Sequence, residues 1–105
     1  MDSSASDLRS KQDEFAGLWD AHRNADWPES VGPREGELMT LDTVLGGCVT
    51  FFLEEKKLDP PRVEILLDCL NELEELLCDL ESETKPYFER LQSVGILLLE
   101  LGRTP

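Results

Sequence analysis

Six carboxylates recur through one stretch of the chain at spacings of four, four, three, four and four residues: Glu64, Asp68, Glu72, Glu75, Asp79 and Glu83. On a helix these side chains form one row of like-charged neighbours, whose repulsion weakens the helix by roughly 1–2.5 kcal/mol. Calcium ligands must converge on one point, which a row along a straight helix does not do. The row is therefore either a docking strip for a basic surface or a solvated face that keeps the protein soluble.

His22 is the only histidine, and it continues an apolar stripe that contains Leu18 and Trp19. Asp26 follows four residues later, so the sequence predicts a hydrogen-bonded histidine near the end of the first helix. Trp27 is the one large apolar residue of the loop that follows, and we expect it to hold that loop against the bundle. The alternative is a small ligand- or metal-binding site around His22, Trp19 and Trp27.

The three cysteines do not form a metal site. Cys69 and Cys78 are nine residues apart, so at about 100° per residue they lie on opposite sides of a helix. Cys48 stands in an apolar stretch, and no cysteine has a histidine at ligand spacing. We expect all three thiols to be free and buried as small apolar side chains. An odd number of free cysteines indicates a reducing cytoplasm.

The chain carries none of the motifs that mark common enzyme sites, such as a glycine-rich phosphate loop, a nucleophile elbow, an HExxH pair or an EF-hand. We therefore expect no catalytic residue, no metal and no cofactor. The formal net charge of −13 repels nucleic acids and anionic membranes and attracts cationic proteins. The N-terminus is polar, and the apolar runs are about half as long as a membrane span requires, which predicts a cytoplasmic protein.

The acidic row shares its helix with an apolar seam whose members are three or four residues apart: Val63, Leu66, Leu70, Leu73, Leu77 and Leu80. This periodicity predicts a helix over residues 63–83 that packs along its length against other helices. Asp59 and Pro60 are suited to the N-cap and the first helical position. Pro86 predicts a break before a last helix, but the same spacing continues to Leu101, so one long kinked helix is the alternative.

The N-terminal part of the chain predicts one helix and one loop. Residues 1–6 are small and polar, which predicts disorder. Ser6 or Asp7 can cap a first helix that runs to Asn24. Residues 25–36 contain two prolines and two glycines and have no periodicity, so they predict a long loop.

Residues 37–57 carry an apolar stripe at helical spacing, although two features oppose a helix. Gly46 and Gly47 together lower helix stability by roughly 2 kcal/mol relative to alanines. Residues 48–53 have high strand propensity. We nevertheless predict a helix, because a lone strand would have no partner in this chain.

These elements predict an all-α protein with one domain over residues 7–103, built as a small up-down bundle of three or four helices. Two segments, residues 44–53 and 94–101, are apolar on nearly all sides, and a small bundle can surround only one of them. The surplus apolar surface predicts a homodimer.

Charge and fold together predict a non-enzymatic interaction protein whose acidic row binds and neutralises or regulates a basic protein partner. This combination of charge and size is analogous to that of immunity proteins, antitoxins and other inhibitors that bind through anionic surfaces. The first alternative is a structural or scaffolding homodimer, in which the acids only confer solubility. The second alternative is the ligand- or metal-binding bundle around His22.

Overall fold

Four helices account for most of the chain in the computed structural model, which describes residues 3–29 and 31–103. In chain order they are α1 (Ser3–Asn24), α2 (Glu35–Glu55), α3 (Pro60–Leu77) and α4 (Lys85–Gly102). These described residues contain no β-strand, which confirms the all-α prediction. Residues 48–53 lie within α2, so the segment with strand propensity is helical.

The N-terminal helix begins earlier than predicted. α1 starts at Ser3 and so includes residues that the sequence assigns to a disordered terminus, while Met1 and Asp2 lie outside the described residues. α1 and α2 are joined by residues 25–34, close to the predicted loop. Val31 is buried and packs this connection onto the core.

The start of α3 follows the predicted capping pattern. Asp59 has an extended backbone conformation, and its Oδ1 accepts a hydrogen bond from the backbone N–H of Arg62 at 3.1 Å. Pro60 occupies the first helical position, where its missing N–H leaves no helical hydrogen bond unmade. The Arg62 guanidinium also donates to Asp59 Oδ2 at 2.6 Å and lies 3.8 Å from the centre of the Phe51 ring. These contacts attach the start of α3 to α2.

α3 and α4 are separate helices, so the alternative of one kinked helix is wrong. α3 ends at Leu77, six residues before the predicted end at Glu83, and turns connect it to α4 at Lys85. The backbone N–H of Leu80 donates to the carbonyl of Leu77 at 3.3 Å, which closes a tight turn directly after α3. Pro86 lies in the first turn of α4, where proline is tolerated, whereas a helix interior would lose a hydrogen bond there.

The buried side of α3 is broader than the predicted seam. Its buried side chains are Leu66, Cys69, Leu73, Leu76 and Leu77. The other members of the seam are only partly buried: Val63, Leu70 and Leu80. The apolar face is shifted toward Cys69 and Leu76 because α3 packs against α2 as well as α4, which requires a wider apolar face than one seam provides.

α4 packs against all three other helices. Its buried residues are Phe88, Leu91, Val94, Gly95, Leu97, Leu98, Leu101 and Gly102. A Cβ atom at Gly95 would lie 2.7 Å from Leu70 Cδ2 of α3 and 3.0 Å from Leu45 Cδ1 of α2. The glycine therefore allows α4 to pack closely against these two helices. The core therefore takes up most of residues 94–101, and the surplus apolar surface predicted for this segment is reduced to exposed Ile96 and partly buried Leu99.

α2 is covered on one side only. Its buried residues are Leu38, Leu41, Leu45, Cys48 and Val49. Met39 and Leu53 are exposed, and Val44 and Phe51 are partly buried. By length and composition alone α2 could also cross a membrane, since an 18-residue window within it has a mean hydropathy of 1.3, but the same helix supplies core residues. Of the two segments predicted to carry surplus apolar surface, residues 44–53 therefore keep more of it uncovered than residues 94–101, and Ile65 and Leu67 on α3 are exposed as well.

Leu73→Ala tests the position of the core on α3. Leu73 has 0% of its surface exposed, so its truncation leaves a cavity and should lower the free energy of unfolding by about 2–5 kcal/mol. Leu67→Ala is the matched control, since Leu67 lies on the same helix with 39% of its surface exposed. Urea denaturation should show a clearly smaller loss for Leu67→Ala. Equal losses in the two variants would mean that α3 is rotated from this arrangement.

Candidate functional site

The structure divides the six predicted site residues into two groups. Glu64, Asp68, Glu72 and Glu75 lie on α3, and all four are exposed. We call these four residues the acidic face. The other two predicted residues, Asp79 and Glu83, are exposed in the connection between α3 and α4. They do not continue the helical row, because α3 ends at Leu77.

The charged side chains along the exposed side of α3 are all carboxylates. Residues 63–77 contain no lysine, arginine or histidine, and Glu74 is a further exposed acid beside the acidic face. The one arginine on α3, Arg62, is bonded to Asp59 and packs over Phe51. The acidic face thus has no cation on its own helix to neutralise it.

Arg34, which directly precedes α2, is a basic neighbour that the sequence analysis missed. Its guanidinium donates to both carboxylate oxygens of Glu37, at 2.6 and 2.7 Å. The hydrogen bond to Glu37 raises the pKa of Arg34, and the nearby charges of Asp79 and Glu72 raise it further. Arg34 therefore lies near one end of the acidic face, with Glu37 as its hydrogen-bonded partner. Sequence spacing could not indicate that Arg34 lies near Glu72, because about forty residues separate the two.

Two exposed aliphatic side chains border the acids on α3. Ile65 is 43% exposed and Leu67 is 39% exposed. At about 100° per residue, Ile65 lies roughly 20° around the helix from Glu72, and Leu67 lies equally close to Glu74. The exposed side of α3 therefore combines negative charge with apolar contact area at both edges.

A cleft adjoins the C-terminal end of the acidic face. It has a volume of ≈ 300 Å³ and lies between the α1–α2 connection and the end of α3. Its lining residues are Val31, Pro33, Arg34, Leu76, Asp79 and Leu80. The walls are largely apolar, and one guanidinium and one carboxylate contribute to the lining. This geometry can accept an aliphatic side chain from a molecule that contacts the acidic face.

His22 is buried between three helices, with 5% of its surface exposed. Its Nε2 lies 2.7 Å from Oδ1 of Asp42 on α2, and Tyr87 on α4 donates from its hydroxyl to Asp42 Oδ2 at 3.5 Å. The predicted partner Asp26 is therefore wrong. The physical reason is that α1 ends at Asn24, so Asp26 does not occupy the next helical turn.

Aromatic rings surround this histidine. Trp19 stacks on His22 with ring centres 6.1 Å apart, and the Tyr87 ring lies 4.5 Å from the imidazole. Burial raises the pKa of Tyr87 to about 12, and the Asp42 carboxylate contributes in the same direction. The second ring nitrogen, Nδ1, is buried with no hydrogen-bond partner among the described residues. A general base must reach the proton that it removes, and His22 is almost completely buried. Its contacts instead connect α1 with α2 and α4.

Trp27 holds the α1–α2 connection against the bundle, as the sequence predicts. Its indole packs edge-on against Tyr87 and Phe88, with ring centres 5.4 and 5.5 Å apart. Its Nε1 donates to Glu35 Oε2 at 2.7 Å. The loop therefore has both an apolar anchor and a polar one.

The thiols differ from one another in exposure. Cys48 and Cys69 are buried, whereas Cys78 is exposed, so the prediction of a buried thiol is wrong for Cys78. Cys78 occupies the C-cap position of α3. Burial raises the pKa of Cys69 to about 11 and also raises the pKa of Cys48. Across residues 3–29 and 31–103, no three histidine, cysteine, aspartate or glutamate side chains are close enough together to hold a metal ion.

No protein-family model, curated protein or solved structure matches this chain.

Thiol labelling tests the difference between the cysteines. At pH 8 a maleimide-like or disulfide reagent should modify Cys78 rapidly, since it is exposed. Cys48 and Cys69 should react only as the protein opens, because burial limits both access and the thiolate fraction. Mass spectrometry should show one fast modification per chain and three in denaturant. A fast modification that persists in Cys78→Ser would contradict the burial of the other two.

Asp42→Ala tests the link between the helices. The change removes the acceptor of His22 and Tyr87, and leaving buried polar groups unpaired should lower the free energy of unfolding by about 1–3 kcal/mol. Asp20→Ala is the control, since Asp20 is exposed and its carboxylate contacts Arg23 at 3.4 Å on the surface. Thermal or urea unfolding should hardly distinguish Asp20→Ala from the wild type. Equal stability of the two variants would rule out a structural role for the Asp42 carboxylate.

Proposed function

We propose that this protein is a non-enzymatic interaction protein that binds a basic protein partner through α3 and thereby neutralises or regulates it. The observation that carries the proposal is that every charged side chain on residues 63–77 is an exposed carboxylate, with no cation on that stretch. The net charge of −13 extends the attraction to the whole molecule. A field of this sign accelerates the encounter with cationic proteins.

The energetics of α3 support this interpretation. Glu64 and Asp68, Asp68 and Glu72, and Glu72 and Glu75 are neighbouring like charges, which together weaken the isolated helix by roughly 0.6–1.5 kcal/mol. A lysine at one of these positions would relieve the repulsion without disturbing the core, because all four side chains are exposed. A basic partner would relieve it in the complex. In the free protein this repulsion is not compensated, and its relief on binding supports a binding role for the acidic face.

The partner that fits this surface is both basic and partly apolar. Lysine and arginine side chains would meet the acidic face, and aliphatic side chains would cover Ile65 and Leu67. The same field disfavours nucleic acids, whose phosphates carry the same sign of charge. Neutralisation in the manner of an immunity protein, antitoxin or other inhibitor follows if the covered basic surface is the partner's own functional site. The proposal places the protein in the cytoplasm, where its thiols stay reduced.

The proposal includes an up-down course for the four helices, which several contacts support. Between α1 and α2, later residues of one helix meet earlier residues of the other: Phe15 and Phe52, Trp19 and Gly46, His22 and Asp42. Between α1 and α4 the same relation holds: Lys11 and Glu100, His22 and Tyr87. Opposite directions of neighbouring helices are typical of an up-down bundle.

The test uses a double charge reversal on the acidic face, Asp68→Lys with Glu75→Lys. Immobilised wild-type protein should capture basic proteins from the native lysate at about 0.05 M salt and release them at about 0.5 M salt. The double variant should lose this capture. Its own free energy of unfolding should rise by about 1 kcal/mol, because repulsive neighbours become attractive ones.

A second double variant, Asp13→Lys with Glu89→Lys, is the matched control. It changes the net charge equally from exposed positions on α1 and α4, so it should retain capture of the same partner. If the α3 variant bound the captured partner with unaltered affinity at low salt, the acidic face would serve only to keep the protein soluble. Partner capture that is equally strong at both salt concentrations would support the scaffolding alternative. A metal ion or small molecule that copurifies with the protein would support the alternative of a binding site around His22.

A further inference from the structure

The cleft at the C-terminal end of the acidic face combines apolar walls with an acidic rim. The α1–α2 connection contributes Val31 and Pro33 to the walls, and the end of α3 and the turn after it contribute Leu76 and Leu80. Leu76 is buried, Leu80 is partly buried and Pro33 is exposed, so the cleft leads from the core to the solvent. Its volume of ≈ 300 Å³ is at the lower limit of small-molecule pockets, which measure about 300–1,000 Å³. A single side chain is the kind of group that fits it.

Both walls of the cleft are turns that are fixed by their own hydrogen bonds. In the α1–α2 connection Gly32 has a φ of 105°, a conformation that glycine adopts without strain, and its carbonyl accepts from the N–H of Glu35 at 3.1 Å. On the other side, the N–H of Leu80 donates to the carbonyl of Leu77 at 3.3 Å. Because the walls are already formed, little conformational entropy is lost when a side chain enters the cleft.

The rim of the cleft keeps a negative charge after its own cation is paired. Arg34 is the basic residue of the lining, and it donates to both carboxylate oxygens of Glu37. Asp79 also lines the cleft and makes no salt bridge with any residue that the structure describes. The hydrogen bond to Glu37 is the main cause that raises the pKa of Arg34, and the charges of Asp79 and Glu72 contribute, so both carboxylates lie near the guanidinium.

The two segments that border the cleft are acidic as a whole. Residues 25–37 contain four acids and one arginine, and residues 72–85 contain six acids and one lysine. A group that carries a positive charge is therefore attracted to the cleft from both sides. A second copy of this chain, which would bring the same acids, is repelled. Charge thus selects a basic partner as the molecule that covers the cleft.

We propose that the cleft takes up one aliphatic side chain of the basic partner, such as leucine, isoleucine or methionine, while a neighbouring lysine or arginine contacts Asp79 and Glu72. This inference rests on the proposed function, because the acidic face that the same partner covers ends at the cleft. It adds a source of specificity. Charge alone attracts any basic protein, whereas the cleft requires an apolar side chain at a fixed place beside the charge. Electrostatic attraction then governs the association rate, and the filled cleft slows dissociation.

Two synthetic peptides test this inference: a lysine-rich peptide with a single leucine, and the same peptide with alanine in place of the leucine. Each is titrated into ¹⁵N-labelled protein at about 0.05 M salt, and the amide shifts give the dissociation constant and the residues contacted. Both peptides should shift the amides of Asp68 and Glu72, since they carry the same charge. The leucine peptide should also shift Val31 and Leu80, and should bind about tenfold more tightly because it buries a larger aliphatic group.

Variants of the cleft show where the leucine lies. Leu80→Gln replaces part of an apolar wall without a change of charge, and should reduce the ratio of the two dissociation constants from about tenfold to about twofold or less. Pro33→Trp places a ring at the exposed edge of the cleft and should reduce the ratio in the same way, should Leu80→Gln unfold the protein. Leu67→Gln is the matched control, because it makes the same change at an exposed leucine of α3 outside the cleft, and should keep the full ratio.

The outcomes separate this inference from the proposed function. If the two peptides bound the wild type equally, or if Leu80→Gln and Pro33→Trp both kept the full ratio, the inference would be overturned and binding to the acidic face would stand. Loss of the ratio in Leu67→Gln would place the leucine on the open side of α3 and would also overturn it. If neither peptide bound at low salt, the proposed function would fail and the inference with it. Shifts of Val31 and Leu80 that depend on protein concentration alone would mean that a second copy fills the cleft, which contradicts the inference.

Discussion

The close packing of α4 against the other three helices is the constraint on which the rest of the structure depends. Gly95 makes this packing possible, since a side chain there would collide with Leu70 of α3 and Leu45 of α2. At the far end of α4, a Cβ atom at Gly102 would lie 2.5 Å from Leu58. Because α4 takes the central place, α2 and α3 each have one covered side and one side that faces water.

The two free sides differ in their electrostatics. The charged residues that α3 exposes are all carboxylates, beside Asn71 and two aliphatic residues, whereas the middle of α2 exposes threonines, a glycine and Met39 between the carboxylates at its two ends. The proposed function uses the α3 side, where the carboxylates would attract a cationic surface.

The polar core around His22 holds the end of the bundle near the α1–α2 connection together. Asp42 joins His22 and Tyr87, and Trp27 closes the loop over the same aromatic group. Asp42 thus links three helices through one carboxylate, while Nδ1 of His22 is buried without a hydrogen-bond partner among the described residues. A histidine that would attract attention as a candidate catalytic residue thus has a structural explanation in its contacts.

The sequence by itself determined the helical class and the cap at Asp59, because these depend on periodicity and on local backbone chemistry. It left open whether the helix breaks before Pro86, and the structure shows that α3 and α4 are separate. The sequence also located the acidic face, since charge spacing within one helix is a local property. Tertiary structure alone decided that α3 ends at Leu77, that Cys78 is exposed and that His22 pairs with Asp42. Each of these depends on which helices are neighbours. Spacing shows that a face is apolar, but the number of helices packed against α3 sets how wide that face must be, and so Cys69 and Leu76 are buried while Leu70 is only partly covered.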